Sequence, residues 1–185
     1  MDETTIKIRP AWASDAPALA RVHVDAWRTT YRGILPADAL AGLSYERREH
    51  GWNEVLALAP EQRHVIYVAE DQTGQVVGFS SAGRETSSDP VYTAELYAIY
   101  IIEEFQRHGL GRRLMYAAVN GLVEAGYTAM RLWVLADNLG GRRFYERLGG
   151  RVLRERPLEI FGVTVRELAY GWDDLHTLLT NTTPA

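Results

Sequence analysis

The segment around Gly109 restricts the fold of this chain more than any other feature. A continuous apolar run, 98–102, precedes it, and an amphipathic pattern with leucines on one face runs from Gly109 to about Ala125. Such an apolar run is typical of a central strand that is covered on both faces. Gly109 and Gly111 stand where this strand leads into the helix, and glycine lets a backbone approach a ligand closely. The pattern predicts a strand–turn–helix unit with a binding site at the turn.

The rest of the chain has an α/β pattern. Apolar or alternating segments predict strands at 4–9, 64–70, 75–83, 91–102, 128–136, 151–159 and 163–172. Helical periodicity predicts helices at 16–30, 45–59, 109–125 and 139–148, and short helical turns are expected at 37–41 and 173–179. Ser14 and Ser44 are the predicted caps of the first two helices. This order predicts a mixed sheet in one domain over residues 1–185, with a fraying tail at 180–185 and a right-handed parallel crossover through the third helix.

The composition excludes several classes of enzyme. Lys7 is the only lysine and lies near the terminus, so neither a P-loop lysine nor a Schiff-base lysine for pyridoxal phosphate is available. The absence of cysteine excludes disulfides, thiolate metal ligands and a cysteine nucleophile. The formal net charge of -4 argues against general nucleic-acid binding. The five histidines lack the paired spacing of a zinc site, so no metal is predicted.

The distribution of apolar residues predicts a cytoplasmic location. The start of the chain, Met1 to Glu3, is acidic and has no apolar core of a signal peptide. No uninterrupted apolar run approaches the ~20 residues that a membrane-spanning helix needs. The sequence therefore predicts a cytoplasmic protein that does not associate with a membrane.

The turn after the central strand has the chemistry of a pyrophosphate site. A helix N-terminus offers unpaired N–H groups and a partial positive charge, and Arg107, Arg112 and Arg113 can add charge-assisted hydrogen bonds. The alternative is a glycine-rich turn with basic decoration and no ligand. A Rossmann dinucleotide site is disfavoured, because its third glycine would stand near the bulky Leu114 and the next strand has no closing acidic residue.

Two segments resemble the acetyl-CoA-binding core of the GNAT superfamily of N-acetyltransferases. The first is 95–101 with Gln106-Arg107-His108-Gly109-Leu110-Gly111, which is similar to the family signature Q/R-x-x-G-x-G/A after a central strand. The second, 138–150, is similar to the family pattern N-x-x-A-x-x-F-Y-x-x-x-G-F. The resemblance covers 91–150 and implies a GNAT-like α/β fold: a largely antiparallel sheet of about seven strands, with a splayed central parallel pair, flanked by about four helices.

The chain departs from the family pattern at three positions. Glu103 lies where proline is frequent, Gly141 where alanine is frequent, and Gly150 where phenylalanine often ends the segment. All three positions shape the backbone or the packing, so the departures leave the expected chemistry unchanged.

The resemblance implies an enzyme that moves an acetyl group from acetyl-CoA to a primary amine by direct attack in a ternary complex. The alternative is a GNAT-like module that binds or senses acyl-CoA without turnover. The backbone from Ile99 through Tyr100 to Ile101 is expected to pair with the pantetheine arm as an added strand would. The expected pyrophosphate residues are Arg107, His108, Gly109, Leu110, Gly111 and Arg112. The acceptor, a small or peptidyl amine, has no motif here, and a homodimer stays open.

The resemblance also implies roles for five side chains. Tyr145 is the expected acid for the departing thiolate, although a buried aromatic with a structural role is the alternative. Glu95 is the expected base, acting on the amine through water, or else a structural or anchoring carboxylate. Asn138 either binds pantetheine or caps the following helix. Trp27 and Tyr31 either line the acceptor pocket or belong to the core.

Overall fold

The computed structural model describes residues 6–59 and 63–180, within which seven strands form one sheet. The strands are β1 (Lys7–Pro10), β2 (Val65–Glu70), β3 (Val76–Arg84), β4 (Ala94–Ile101), β5 (Met130–Leu135), β6 (Arg151–Ile160) and β7 (Val163–Trp172). Their order across the sheet is β1-β2-β3-β4-β5-β7-β6. Only β4 and β5 pair in parallel, and every other neighbouring pair is antiparallel. The predicted mixed, largely antiparallel seven-stranded sheet is confirmed.

Six helices accompany this sheet in the described part of the chain. They are α1 (Ala16–Thr30), α2 (Ala37–Ala41), α3 (Tyr45–Leu58), α4 (Leu110–Glu124), α5 (Leu139–Arg147) and α6 (Leu175–Thr180). The four predicted helices correspond to α1, α3, α4 and α5, and the two short helical turns predicted at 37–41 and 173–179 correspond to α2 and α6, of five and six residues. The first two residues of the predicted first strand and nearly all of the predicted fraying tail lie outside the described residues.

The predicted caps have different outcomes. Ser44 caps α3, because its Oγ accepts a hydrogen bond from the N–H of Arg47 at 3.1 Å. Ser14 does not cap α1, so that prediction is wrong. It lies inside a short 3-10 turn, and Asp15 occupies the N-cap position. The Asp15 carboxylate instead pairs with Arg9 at 2.7 Å, which ties the turn to β1.

Both faces of the sheet are covered by helices. On one face, α4 buries Leu114, Met115 and Leu122 completely against the central strands, and α6 packs beside it. On the other face, α1 buries Leu19 with Phe79 of β3, and α3 contributes to the same cluster. Helices on both sides explain the apolar character of β4. Residues 98–101 of β4 are nevertheless only partly buried, because one side of the strand opens into a cleft.

A β-bulge bends β4 at Tyr97. Leu96 pairs with Ala82 of β3, whereas Ala98 pairs with Ser81, so Tyr97 is the extra residue. A bulge of this kind increases the local bend and twist of a strand. The bend therefore changes the direction of β4 halfway along its length.

The parallel strands β4 and β5 separate where this bend begins. Ala94 pairs with Met130 and Glu95 with Arg131, and the register ends there although β5 continues to Leu135. The remainder of β5 pairs only with β7. The two central strands consequently form a V whose vertex is the Glu95–Arg131 pair.

Candidate active site

The space between the diverging strands is a cleft of about 1330 Å³. β4, the turn before α4, β5, α5 and the residues that follow α1 all contribute to its walls. Ten predicted site residues line it: Tyr31, Ile99, Tyr100, Ile101, Arg107, Gly109, Gly111, Arg112, Asn138 and Tyr145. Segments that lie far apart in the sequence are thus brought into one cavity.

Four predicted site residues lie outside the cleft lining. His108 is exposed on the turn, and Leu110 is buried with Leu114 in the apolar cluster under it, so only the backbone of Leu110 can face a ligand. Trp27 packs edge-on against Tyr31, with ring centroids 5.0 Å apart. Glu95 lies at the vertex of the V.

The two glycines of the turn are needed for different reasons. Gly109 has φ of 74°, and no atom lies within 4 Å of the position that a Cβ would take, so the left-handed backbone and not space demands glycine. At Gly111 a Cβ would lie 3.3 Å from Cε2 of Phe144, so packing between α4 and α5 favours glycine there. Arg107 also has positive φ, 65°, which makes this turn locally strained.

The N-terminus of α4 can accommodate a pyrophosphate group. Gly109 is its N-cap and provides no side-chain hydrogen bond, so the N–H groups of the first turn have no partner within the helix. Arg107 and Arg112 lie beside them on the cleft lining. The Arg112 Nε also donates to the Tyr116 hydroxyl at 2.6 Å, which restrains the guanidinium. Unpaired N–H groups, a helix N-terminus and two guanidinium groups together make an anion site.

The cleft-facing edge of β4 is available for strand-like pairing. No residue of β4 after Glu95 pairs with β5, so the main chain of Ile99–Ile101 borders the cleft. Gln106 supports this edge, because its Nε2 donates to the carbonyl of Ile101 at 2.9 Å. The sequence placed Gln106 in the motif without a role, and the structure gives it one: it connects the turn to the end of β4.

Asn138 caps α5, which is one of its two expected roles. Its Oδ1 accepts a hydrogen bond from the N–H of Gly141 at 3.0 Å. A Cβ on Gly141 would lie only 2.8 Å from Nδ2 of Asn138, so the departure from alanine at this position follows from how the cap is folded. The side chain of Asn138 also lines the cleft.

Three tyrosines surround the middle of the cleft. The hydroxyls of Tyr31 and Tyr100 are 3.3 Å apart. The Tyr145 hydroxyl has no hydrogen-bond partner among the described residues, and its ring packs 6.2 Å from that of Tyr170. Burial, with a smaller contribution from Tyr100, raises the pKa of Tyr145 well above its usual range. Burial likewise raises the pKa of Tyr31. Tyr145 is therefore a neutral phenol at physiological pH, able to donate a proton or a hydrogen bond.

Glu95 is held at the vertex by an arginine. Its Oε2 is 3.2 Å from Nη2 of Arg131, and 17% of its side chain is exposed. Burial raises the pKa of Glu95, which the charge of Arg131 opposes and the charge of Glu85 reinforces. A carboxylate with a raised pKa is better suited to accept a proton near neutral pH than an ordinary surface carboxylate.

Sequence reasoning missed the residues around this carboxylate. Arg131, 2% exposed, contacts Glu85 as well as Glu95, and Trp133 of the same strand lines the cleft. The Arg156 guanidinium lies over the Trp133 ring at 3.8 Å. An arginine inside an otherwise apolar strand was the one signal in the sequence that pointed to this cluster.

Residues 6–59 and 63–180 contain neither a membrane-spanning helix nor a clustered metal site. No helix there is long and apolar enough to cross a bilayer. No group of three or more histidine, aspartate or glutamate side chains there is arranged to hold a metal ion.

Comparison with known proteins gives concordant matches. Residues 24–150 match the model of the acetyltransferase (GNAT) family. The uncharacterized N-acetyltransferase YuaI of Bacillus subtilis strain 168 is 38% identical over 175 residues, which cover 95% of this chain and 97% of that protein.

Solved structures share the fold. The PaiA N-acetyltransferase of Thermoplasma acidophilum, in complex with coenzyme A, matches with a TM-score of 0.72 at 20% identity, over 91% of this chain and 99% of that one. YncA from Salmonella typhimurium, with its cofactor acetyl-CoA, matches with a TM-score of 0.70 at 22% identity, over 92% of this chain and 94% of that one.

Proposed function

The chain belongs to the GNAT family of N-acetyltransferases, and from this premise we propose that it transfers the acetyl group of acetyl-CoA to a primary amine by direct attack in a ternary complex. The observation that carries the proposal is the separation of β4 from β5 after the Glu95–Arg131 pair. It leaves a strand edge open beside an uncapped helix N-terminus, which is what an extended arm ending in a pyrophosphate requires.

The donor is held mainly by backbone groups. The main chain from Ile99 to Ile101, including Tyr100, pairs with the pantetheine arm, and Asn138 contacts the arm while it caps α5. The pyrophosphate lies on the turn and first helical residues, namely Arg107, His108, Gly109, Leu110, Gly111 and Arg112. The positive φ at Gly109 and the restrained Arg112 support this assignment.

Two side chains handle protons. Tyr145 donates a hydrogen bond or a proton to the sulfur as the thiolate departs, a role that its unpaired hydroxyl supports, and its raised pKa keeps the phenol protonated until then. Glu95 accepts the proton that the amine loses, through water, because the carboxylate lies at the vertex and not on the cleft lining. The chain has no cysteine, which agrees with direct transfer and the absence of an acyl-enzyme.

The acceptor enters from the side of α1. Tyr31 lines this side, and Trp27 holds Tyr31 in place through ring contact. Phe161, at the turn between β6 and β7, packs edge-on against Trp27, with ring centroids 6.3 Å apart. These rings support an aromatic wall for a small or peptidyl amine.

The proposal extends to the organisation of the protein. One domain spans residues 1–185, works in the cytoplasm and forms a homodimer as many family members do. Size-exclusion chromatography with light scattering tests the dimer, because it distinguishes a mass of 20.8 kDa from twice that value.

Isothermal titration with acetyl-CoA tests the proposal. We expect saturable binding with a dissociation constant below roughly 1 mM, the upper end of ordinary Michaelis constants. Titration with NAD is the matched control and should give no saturable heat. Absence of acetyl-CoA binding at millimolar ligand, or tight NAD binding in its place, would end the proposal.

A further inference from the structure

An ionic cluster, mostly buried, includes the two residues at the vertex of the V. Its members are Glu85, Arg131 and Glu95, which we call the vertex cluster. Arg131 Nη2 contacts the Glu85 carboxylate, lies 2.9 Å from the Ser87 hydroxyl and lies 3.2 Å from Glu95 Oε2. Both Glu85 and Arg131 are almost fully buried, at 4% and 2% exposure. One arginine therefore serves two carboxylates, and the outer carboxylate is the proposed base.

The inner carboxylate of the cluster is fixed in its charged form. Glu85 accepts hydrogen bonds from the N–H of Ser87 at 2.6 Å and of Asp89 at 2.8 Å. Burial alone would raise the pKa of Glu85, but these hydrogen bonds and the charge of Arg131 outweigh it and lower the pKa to about 2. Glu85 is therefore an anion near neutral pH.

We infer that Glu85 and Arg131 are positioning residues for acetyl transfer: they hold Glu95 at the vertex of the cleft, and Glu85 neutralises Arg131 so that Glu95 can still take a proton. The inference rests on the proposed role of Glu95. An arginine that faced Glu95 alone would hold that carboxylate in its ionised form and make it a poor base. Arg131 lies closer to Glu85 than to Glu95, so Glu85 neutralises most of its charge. Arg131 therefore orients Glu95 but stabilises the ionised form of Glu95 only in part.

Four charged or titratable groups face Glu95, each from a different part of the chain. Arg131 faces it from β5, Glu85 from the segment after β3, Arg156 from β6 and Tyr97 from β4 itself. Arg156 is already paired through its Nε with Glu167 at 2.5 Å. Of these groups, Arg131 is the one that contacts Glu95. Changes at Glu85 and Arg131 therefore have opposite and separable effects on Glu95.

The sign of each effect follows from the charges. In Glu85→Gln, Arg131 loses its neutralising anion and Glu95 loses a like-charged neighbour. Both changes stabilise the ionised form of Glu95, so the pKa of Glu95 falls by roughly one pH unit. In Arg131→Met, Glu95 loses its cation and keeps the repulsion of Glu85, so its pKa rises by roughly one pH unit or more.

The test measures the titration of Glu95 directly. Carbon NMR of protein labelled at the glutamate side-chain carboxyl gives the pKa of each glutamate, and Glu95→Gln identifies the Glu95 resonance. Asp15→Asn is the matched control, because it breaks another buried carboxylate–arginine pair, with Arg9, in a different part of the fold. The control should lose stability without moving the Glu95 titration.

A charge-conserving variant replaces Arg131→Met if that variant does not fold. If Arg131→Met fails to fold, Arg131→Lys in its place should leave the Glu95 titration near that of the parent, while Glu85→Gln lowers it. The inference is supported if the pKa of Glu95 falls in Glu85→Gln and rises in Arg131→Met. Where Arg131→Met does not fold, it is supported if the pKa of Glu95 falls in Glu85→Gln and stays at the parent value in Arg131→Lys. Unmoved titration in Glu85→Gln, or changes of the same sign in Glu85→Gln and Arg131→Met, overturns it.

Activity is measured separately from the NMR titration. The two measurements distinguish failure of the positioning role of Glu85 and Arg131 from failure of the proposed base role of Glu95. The acidic limb of kcat against pH, at saturating amine from a panel, should move together with the NMR titration of Glu95. Where the pKa falls or rises by one pH unit, the rate on that limb at fixed pH should change about tenfold. If the pKa of Glu95 changes and the acidic limb of kcat does not, the vertex cluster controls the charge of Glu95 but does not position a base. The role of Glu95 in the proposed function is then wrong.

Discussion

Replacing Gly109 by alanine tests whether the left-handed turn is a binding element. Gly109 has φ of 74°, and a Cβ in that conformation costs about 1–2 kcal/mol for an ordinary residue. Nothing lies within 4 Å of the new Cβ, and no side chain caps the helix, so little in the exposed turn holds the strained conformation. We therefore expect the turn of Gly109→Ala to relax in the unliganded protein.

The cost then appears on binding. In the proposed complex acetyl-CoA binds the strained form of the turn, so its affinity should fall by the same ~1–2 kcal/mol, about 5- to 30-fold in dissociation constant. Melting temperature should change little. Isothermal titration and thermal denaturation of the same preparation measure both quantities.

Gly74→Ala is the matched control. Gly74 has φ of 84° and open space around it, but its turn is closed by hydrogen bonds from its own N–H to Asp71 and from Asp71 to Gln75. The hairpin keeps its shape, so the penalty of ~1–2 kcal/mol appears as a loss of roughly 2–8 °C in Tm, with unchanged acetyl-CoA affinity. If the dissociation constant of Gly109→Ala for acetyl-CoA is within twofold of the parent value, the left-handed turn is not a binding element.

Three further substitutions test the site and its support. Tyr145→Phe should lower kcat roughly 100-fold or more and leave acetyl-CoA affinity unchanged, since it removes only the proton donor; full activity in a thiol-release assay would exclude the acid role. Asn138→Ala should lose the cap of α5 and about 1 kcal/mol of stability, and an unchanged Tm would show that the cap is not stabilising. Gly150→Ala would put a Cβ 2.6 Å from Cζ2 of Trp172, so we expect a loss of roughly 1–3 kcal/mol in urea unfolding, and a neutral result would mean that the indole moves easily.

Local sequence patterns predicted two segments of the cleft lining. The turn before α4 and the start of α5 are each encoded within about a dozen residues, and short-range rules for glycine, caps and helix termini determine them. Cleft-lining positions such as Gly109 and Asn138 could therefore be named before the structure was known. The prediction for Ser14 was wrong because Asp15, which pairs with the Arg9 guanidinium six residues earlier, takes the N-cap position of α1.

Long-range packing decided what the sequence did not reveal. Glu85 and Arg131 are 46 positions apart, and nothing in either neighbourhood shows that they meet. The small residue at Gly150 is explained by Trp172, whose indole Nε1 donates to the carbonyl of Leu148 at 2.8 Å and so fills the space that a larger side chain would need. The bulge at Tyr97, which separates β4 from β5, likewise depends on pairing with β3.

Amine-dependent release of the CoA thiol distinguishes transfer of the acetyl group to an amine from binding of acetyl-CoA alone. Acetyl-CoA is incubated with the protein and a panel of polyamines, amino acids, aminoglycosides and peptides, while free thiol is measured and the acceptor is analysed by mass spectrometry. We predict thiol release that depends on one class of amine and matches, mole for mole, the acetyl groups found on it. Saturable binding of acetyl-CoA without thiol release across the whole panel would contradict the account and indicate a module that binds the donor without turnover.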